Sequence, residues 1–136
     1  MNQQLHIVIA EDDEDDRFII EESFRRNSQF TTIHLVKNGR ELLDYLHAPE
    51  KPKPDVILTD INMPIMDGIQ ALKAICKDKE LNDIPTFVYS TTVNPVYQMK
   101  CRELGTKGYL TKPTALEDFN KIPEQIISIM EDVSTS

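Results

Sequence analysis

Hydrophobic and polar positions along the chain predict strands that alternate with helices. Five short apolar segments, most of them rich in β-branched residues, are typical of buried strands. They span residues 5–10, 32–36, 56–58, 84–90 and 108–111. The segments between them carry apolar residues at helical spacing, as at Leu42, Leu43 and Leu46. This alternation predicts an α/β fold of five βα units, with a parallel sheet and right-handed crossovers.

The third of these segments leads directly to a candidate functional residue. Val56, Ile57 and Leu58 read as a strand buried on both faces, and Asp60 follows where the strand gives way to a loop. Pro64 has no backbone N–H, so the strand ends before it or close to it. Open α/β sheets bind their ligands at the carboxyl ends of strands. The sequence therefore places Asp60 at the functional edge of the sheet.

Helix boundaries carry their own signals. Six acids occupy residues 11–16, and an acidic run is explained most simply as the start of a solvated helix. Asp13 and Asp67 are the expected N-caps of the first and third helices. The last helix, from about residue 114 to residue 130, contains Pro123. A proline inside a helix removes a hydrogen bond, so we expect a kink or two short helices in series.

Functional groups follow four of the five predicted strands. They are Glu11 and Asp12 after the first strand, Asp60 after the third, Ser90 after the fourth and Lys112 after the fifth. In a parallel sheet these ends share one edge, so the acids converge in space. Three neighbouring carboxylates repel one another unless a cation is present, and Mg2+ prefers such oxygen ligands. Lys112 and Ser90 suit the oxygens of a phosphoryl group held on Asp60.

Taken in order, these residues form a pattern known from one protein family. The sequence resembles the receiver domain of two-component response regulators, and it is similar to the single-domain chemotaxis and phytochrome-associated regulators. The matching motifs are Glu11-Asp12, Asp60 with Met63-Pro64 and Asp67-Gly68, Ser90, and Lys112-Pro113. They lie within a resemblance that covers about residues 5–130, and together they are far more specific than any one alone. The resemblance implies a flavodoxin-like, doubly wound (βα)5 fold, with a five-stranded sheet in the order 2-1-3-4-5.

The resemblance also implies roles for the residues of the acidic site. Asp60 is expected to accept a phosphoryl group, with Lys112 and Ser90 in the same pocket. Glu11 and Asp12 are expected to bind Mg2+ directly or through water. Asp60 and the backbone carbonyl of Asn62 are the further ligands that the resemblance implies.

Two switch residues and one peptide bond follow from the same resemblance. Ser90 matches the switch serine or threonine, and Tyr109 matches the switch aromatic residue that turns inward on activation. A purely packing role for Tyr109 is an open alternative, because aromatic residues are frequent in strands. The Lys112–Pro113 peptide bond is expected to be cis. Thr92, two positions after Ser90, offers neither carboxylate nor amide to orient a water, so the sequence predicts no lifetime for the phosphorylated state.

The composition of the chain bears on the number of domains, the class of partner and the cellular location. The chain has 136 residues and a formal net charge of −8, so one domain is expected and attraction to nucleic acid or anionic lipid is disfavoured. No apolar run is long enough for a membrane span or a signal peptide. Cys76 and Cys101 have no metal-ligand spacing and fit free thiols in a reducing cytoplasm. We expect residues 1–136 to form a single receiver domain without an output domain, located in the cytoplasm.

The function expected from the sequence is a stand-alone response regulator with at most slow autodephosphorylation, and not an enzyme. A sensor histidine kinase or phosphotransfer protein supplies the phosphoryl group, Mg2+ assists, and the output is a protein contact or onward phosphotransfer. The kinase, the downstream target and the oligomeric state are not identified by the sequence, and a homodimer is an open alternative. An aspartyl hydrolase is disfavoured because Asn62 stands where such enzymes place a second Asp. An EF-hand loop from Asp60 fails because Ile65 replaces the required glycine.

Overall fold

The computed structural model describes residues 4–91 and 94–135, apart from the side chains of residues 133–135. Within these ranges the elements are β1 (Leu5–Ala10), α1 (Glu14–Arg25), β2 (Phe30–Val36), α2 (Gly39–His47), β3 (Val56–Thr59), α3 (Gly68–Lys77), β4 (Thr86–Ser90), α4 (Pro95–Glu103), β5 (Gly108–Thr111), α5 (Leu116–Phe119) and α6 (Lys121–Thr135). All strand pairs are parallel, and the order is β2-β1-β3-β4-β5. The predicted flavodoxin-like sheet is confirmed.

Both faces of the sheet are covered by helices, and β1 shows how. Ile7 and Ile9 face the apolar cluster that includes α1 and α6, whereas Val8 and Ala10 face the cluster that includes α2 and α3. All four side chains are fully buried. Strands buried on two faces need apolar residues at successive positions, which explains the unbroken apolar runs in the sequence. The packing fixes the carboxyl ends of the strands, from which the functional groups project.

The helices that follow β1 and β3 begin at the expected caps. The Asp13 side chain accepts the backbone N–H of Asp16 at the start of α1. At the start of α3, Asp67 and Gln70 form a reciprocal capping box. Each cap satisfies backbone donors that a helix leaves unpaired in its first turn. These caps confirm the prediction and set where the loops after β1 and β3 end.

Gly68 allows the loop between β3 and α3 to fold tightly against the end of β3. Its N–H donates to the carbonyl of Ile61 at 2.8 Å. A Cβ atom at this position would collide with the carbonyl oxygen of Asp60. Only glycine lets the two backbone segments approach so closely. The loop is therefore held against the residue that the sequence identifies as the phosphoryl acceptor.

The final helical region is divided into two helices in series, as one of the two predicted outcomes had it, but the break precedes Pro123 and the second helix is not short. The short helix α5 ends at Phe119, and α6 begins two residues later at Lys121. Pro123 is the third residue of α6, where a backbone N–H has no partner within the helix anyway. Proline is therefore tolerated at this position. None of the described helices is both long and apolar enough to cross a membrane.

One prediction about the backbone is wrong. The described residues contain no cis peptide bond, so the Lys112–Pro113 bond is trans and not cis. The trans form is favoured by about 0.5–1 kcal/mol before proline. With the trans bond, Lys112 reaches both Glu11 and Asp60.

Candidate functional site

The carboxyl ends of β1, β3 and β5 bring three acids and one lysine together. Glu11, Asp12 and Asp60 each place a carboxylate oxygen within 4.8 Å of the other two. The Nζ atom of Lys112 donates to Oε1 of Glu11 at 2.7 Å and to Oδ2 of Asp60 at 3.0 Å. The sequence predicted this convergence, and the structure contains it.

Glu11 is the most constrained acid of the site. It is fully buried, and its Oε1 atom accepts both the Lys112 ammonium and the Tyr89 hydroxyl, the latter at 2.6 Å. Its Oε2 atom accepts the backbone N–H of Asp13 at 3.0 Å. Burial raises the pKa of Glu11, and the bonds from Lys112, Tyr89 and Asp13 offset part of that rise. Donors on both oxygens fix the orientation of this carboxylate.

Asp60 and Asp12 occupy the more open side of the site. Asp60 is 7% exposed, and its Oδ1 atom accepts the backbone N–H of Ile61 at 2.7 Å. Its Oδ2 atom faces Lys112. Asp12 is exposed, and the Arg17 guanidinium donates to its backbone carbonyl at 3.2 Å. The site therefore has a closed wall at Glu11 and an accessible side at Asp12.

Lys112 is the cation at the centre of these acids. Its side chain is 7% exposed, and it also contacts Oδ2 of Asp16 at 3.2 Å. Its Nζ atom lies 4.9 Å from the centre of the Tyr89 ring. Burial, the largest single effect, lowers the pKa of Lys112, but the bond with Glu11 and the charges of Asp60 and Glu11 together outweigh it, so its pKa is raised. Lys112 therefore stays charged.

Sequence reasoning missed Tyr89 and Asp16. Tyr89 lies in β4, on the same sheet face as Phe87, and its hydroxyl reaches Glu11. Burial and the charge of Glu11 keep the pKa of Tyr89 well above its ordinary value, so the hydroxyl remains a donor. The sequence offered one signal for the position of Tyr89. Side chains alternate along a strand, so Tyr89 and Ser90 must lie on opposite faces of the sheet. Asp16 was not predicted as a site residue, because it is the last of the six acids at residues 11–16 and its position is explained by the start of a helix.

Ser90 in β4 and Tyr109 in β5 are the two predicted switch residues, and their strands are neighbours in the sheet. Ser90 is fully buried, and Tyr109 is half-buried against the apolar cluster that contains Val88 and Cys101. Burial raises the pKa of Tyr109, and the nearby Ser90 side chain lowers it in part. Thr92 lies outside the described residues.

The donor set of the site suits a hard divalent cation. Glu11, Asp12 and Asp60 together with the ammonium of Lys112 carry a formal charge of −2, and Asp16 beside Lys112 adds a further negative charge. All candidate ligands are oxygens, which Mg2+ and Mn2+ accept. Asn62, whose backbone carbonyl is the fourth predicted ligand, lies in the loop two residues after Asp60. Its role as a ligand stays a prediction.

Comparison with known proteins identifies relatives over most of the chain. The family model of the response regulator receiver domain matches residues 7–123. The two-component response regulator ARR17 of Arabidopsis thaliana is 28% identical over 131 residues, which are 90% of this chain and 84% of that protein. A protein-glutamate methylesterase/protein-glutamine glutaminase of Methanococcoides burtonii is 34% identical over 106 residues, 76% of this chain. The chain spans only 28% of that methylesterase and 35% of the one from Clostridium acetobutylicum.

The solved structures that resemble this chain include response regulators as well. The phosphorylated cyanobacterial phytochrome response regulator RcpA superposes with a TM-score of 0.84 and 29% identity, over 90% of this chain and 91% of that one. The Mn2+-bound form of response regulator Rcp1 superposes with a TM-score of 0.82 and 27% identity, over 91% and 92% of the two chains.

Proposed function

The chain belongs to the response regulator receiver domain family, and we propose on that basis that Asp60 accepts a phosphoryl group from a phosphohistidine of a sensor histidine kinase or phosphotransfer protein. The observation that carries this proposal is the convergence of Lys112 and two further acids on the Asp60 carboxylate at the carboxyl edge of the sheet. The family is a family of signalling phosphoacceptors. We therefore propose a signalling role and not turnover of an external substrate.

In the proposed reaction a carboxylate oxygen of Asp60 attacks the phosphorus atom. The phosphorus–nitrogen bond breaks, its electron pair stays on the imidazole nitrogen of the partner, and an acyl phosphate forms on Asp60. The Ile61 N–H holds Oδ1 at 2.7 Å, whereas Oδ2 faces Lys112. We assign Oδ2 as the attacking atom, because Lys112 is then placed to donate to the incoming phosphoryl oxygens.

Glu11, Asp12 and Asp60 are the residues that would hold Mg2+, with the carbonyl of Asn62 as a further donor. Bound Mg2+ would neutralise the charge of the carboxylates and of the phosphoryl oxygens. The fixed orientation of Glu11 and the formal charge of −2 support this assignment. The Mn2+-bound form of the similar protein Rcp1 supports it as well.

The proposed output starts at Ser90 and Tyr109, which lie on neighbouring strands close to the acidic site. A phosphoryl group on Asp60 offers strong acceptor oxygens, which would attract the Ser90 hydroxyl. A shift of Ser90 towards Asp60 would leave Tyr109 room to move relative to α4. The exposed side chains of Val96 and Met99 lie on that helix and are 69% and 62% exposed. We propose that this surface, α4 with β5, meets the downstream protein.

Exposed apolar side chains on the elements that follow the site residues form a second surface, to which we assign the phosphodonor partner. Phe18 of α1 and Leu116 at the start of α5 are 64% and 67% exposed and line one groove. Ile65, in the loop after β3, is 83% exposed. Apolar side chains at such exposure are typical of a protein contact. The negative charge of the chain makes nucleic acid an unsuitable partner, and the free thiols of Cys76 and Cys101 fit a cytoplasmic location.

Intact-protein mass spectrometry after incubation with acetyl phosphate tests the proposal. Wild type should gain one phosphoryl mass in the presence of Mg2+ and none without it. Asp60→Asn should gain none, and Asp67→Asn, which keeps the cap of α3, should behave as wild type. Loss of the adduct in Asp67→Asn but not in Asp60→Asn would contradict the assignment. Mg2+ binding with release of phosphate and no adduct would instead indicate a hydrolase.

A further inference from the structure

Tyr89 makes two contacts that the proposed reaction does not use. Its side chain is fully buried, and its hydroxyl donates to Oε1 of Glu11 at 2.6 Å. Its ring lies against the ammonium of Lys112, with Nζ 4.9 Å from the ring centre. The Tyr89 side chain thus touches both the most buried acid of the site and the cation that neutralises it.

The acceptor capacity of Glu11 shows what the Tyr89 bond achieves. The Oε1 atom accepts one hydrogen bond from Tyr89 and one from Lys112, and these two bonds occupy both of its lone pairs. Among the residues that the structure describes, Oε2 accepts a hydrogen bond from the Asp13 N–H alone, which leaves one of its lone pairs for a cation. Without the Tyr89 hydroxyl, Oε1 would regain an open position and the carboxylate could rotate about its side-chain bonds. The hydroxyl therefore decides which Glu11 oxygen is left to bind a cation.

We propose that Tyr89 is a positioning residue for the metal site, which orients Glu11 so that Oε2 is the oxygen offered to Mg2+. The inference rests on the proposed function in one respect, because it takes Glu11 to be a metal ligand. It adds a residue to the site that belongs neither to the acidic cluster nor to the switch pair. Partners of this kind, which hold a ligand in place, commonly change metal affinity by about 10–100-fold when removed.

A packing role alone does not explain the contact. Phe87 lies on the same face of β4 and fills the same apolar cluster without a hydroxyl. A buried hydroxyl must be bonded, and Tyr89 bonds the carboxylate of Glu11 instead of a backbone group. An aspartate at position 11 would end one methylene short of Tyr89. The glutamate and the tyrosine are therefore expected to act as a pair.

The test is a double-mutant cycle read by isothermal titration calorimetry of Mg2+ into the unphosphorylated chain. Tyr89→Phe should weaken Mg2+ binding about tenfold. In the Glu11→Asp background the same substitution should have little further effect, because the shorter carboxylate does not reach the hydroxyl. Tyr45→Phe is the matched control: it removes a hydroxyl that bonds His6, and it should leave Mg2+ affinity unchanged.

Equal Mg2+ affinity of wild type and folded Tyr89→Phe would overturn the inference while leaving phosphorylation of Asp60 untouched. Failure of wild type to bind Mg2+ would overturn both the metal assignment and this inference. If Tyr89→Phe does not fold, proton NMR of wild type decides the question through the hydroxyl proton of Tyr89. Saturating Mg2+ should shift that signal, since Glu11 then shares its charge with the cation, and an unchanged signal would contradict the role.

Discussion

The Nζ atom of Lys112 lies 3.0 Å from Oδ2 of Asp60 and 2.7 Å from Oε1 of Glu11, so one ammonium links two acids that are far apart in the sequence. Removing it leaves carboxylates at short range with no counter-charge. We expect Lys112→Met to lower the free energy of unfolding by about 3 kcal/mol in the absence of divalent cations. Urea denaturation measures this loss. Saturating Mg2+ should stabilise the variant more than it stabilises wild type, because the ion then supplies the missing positive charge.

Lys121→Met is the matched control for this experiment. Lys121 pairs with Asp118, but its side chain is 69% exposed. An exposed pair contributes about 0–1 kcal/mol, so a small and Mg2+-independent change is expected. Equal effects of Mg2+ on both variants would show that Lys112 does not balance the acidic site.

Gly68→Ala should disturb the site without touching any of its side chains. The added methyl group would collide with the carbonyl oxygen of Asp60, so the loop after β3 must shift. Overpacking of this kind costs about 1–3 kcal/mol, which urea denaturation would detect. Mg2+ affinity should fall as well, because the loop carries Asn62. A variant with wild-type stability and wild-type Mg2+ affinity would contradict this prediction.

Ile65→Gly should stabilise the domain. Ile65 has a φ of 69°, which is strained for a β-branched residue, and its side chain is 83% exposed. Release of that strain outweighs the entropic cost of glycine, and a gain of about 0.5–1 kcal/mol is expected. Thermal denaturation measures it. Gly105→Ala should change stability in the opposite direction, since Gly105 has a φ of 87° with open space around it. The prediction fails if both substitutions destabilise the protein.

Lowering the pH should destabilise the folded domain through protonation of His34 in β2. Its ring stacks on Tyr45 with centroids 4.1 Å apart. Burial, helped by the charge of Lys51, lowers the pKa of His34 below its ordinary 6.5, while Glu41 opposes this. His34 therefore binds a proton more readily in the unfolded chain than in the folded one. Its contribution to the free energy of unfolding is present above about pH 6.5 and is lost as the pH falls towards and through the lower pKa of the folded state.

His34→Phe tests that dependence, because it keeps a stacking ring that cannot be protonated. Between about pH 7.5 and about pH 5.5 the variant should lose less thermal stability than wild type. His6 contributes in the same direction, since burial lowers its pKa too. Some dependence should therefore remain in the variant. Identical pH profiles of the two proteins would exclude His34 as a source.

The sequence was sufficient for the elements and for four charged residues of the site, Glu11, Asp12, Asp60 and Lys112, because both follow from strong local signals. Asp60 stands at the end of a strand buried on two faces, and the parallel sheet predicted from the alternation of strands and helices brings Glu11 and Lys112 to the same edge. Element ends were less predictable. β2 begins at Phe30, two residues before the predicted start, because a register shift between Leu5 and His6 extends its pairing with β1.

What the sequence could not supply are contacts that depend on side-chain direction. The bond from Tyr89 to Glu11 needs the sheet face, the rotamer and the reach of both side chains at once. The contact of Asp16 with Lys112 requires the orientation of α1 relative to β5. The trans bond at Pro113 depends on the local chain path, which no residue type determines.

The geometry of the site also makes the proposed phosphoryl transfer dependent on the complete fold. The contacts of Glu11 with Tyr89 and with Lys112 span 78 and 101 residues. Contacts of such long range form only after the central strands have assembled, so they are absent from partly folded chains. A ligand of this site binds the native state alone and stabilises it by mass action, about 2.7 kcal/mol at a hundredfold excess over its dissociation constant. Mg2+ bound at the acidic site would therefore protect the whole domain against unfolding and proteolysis.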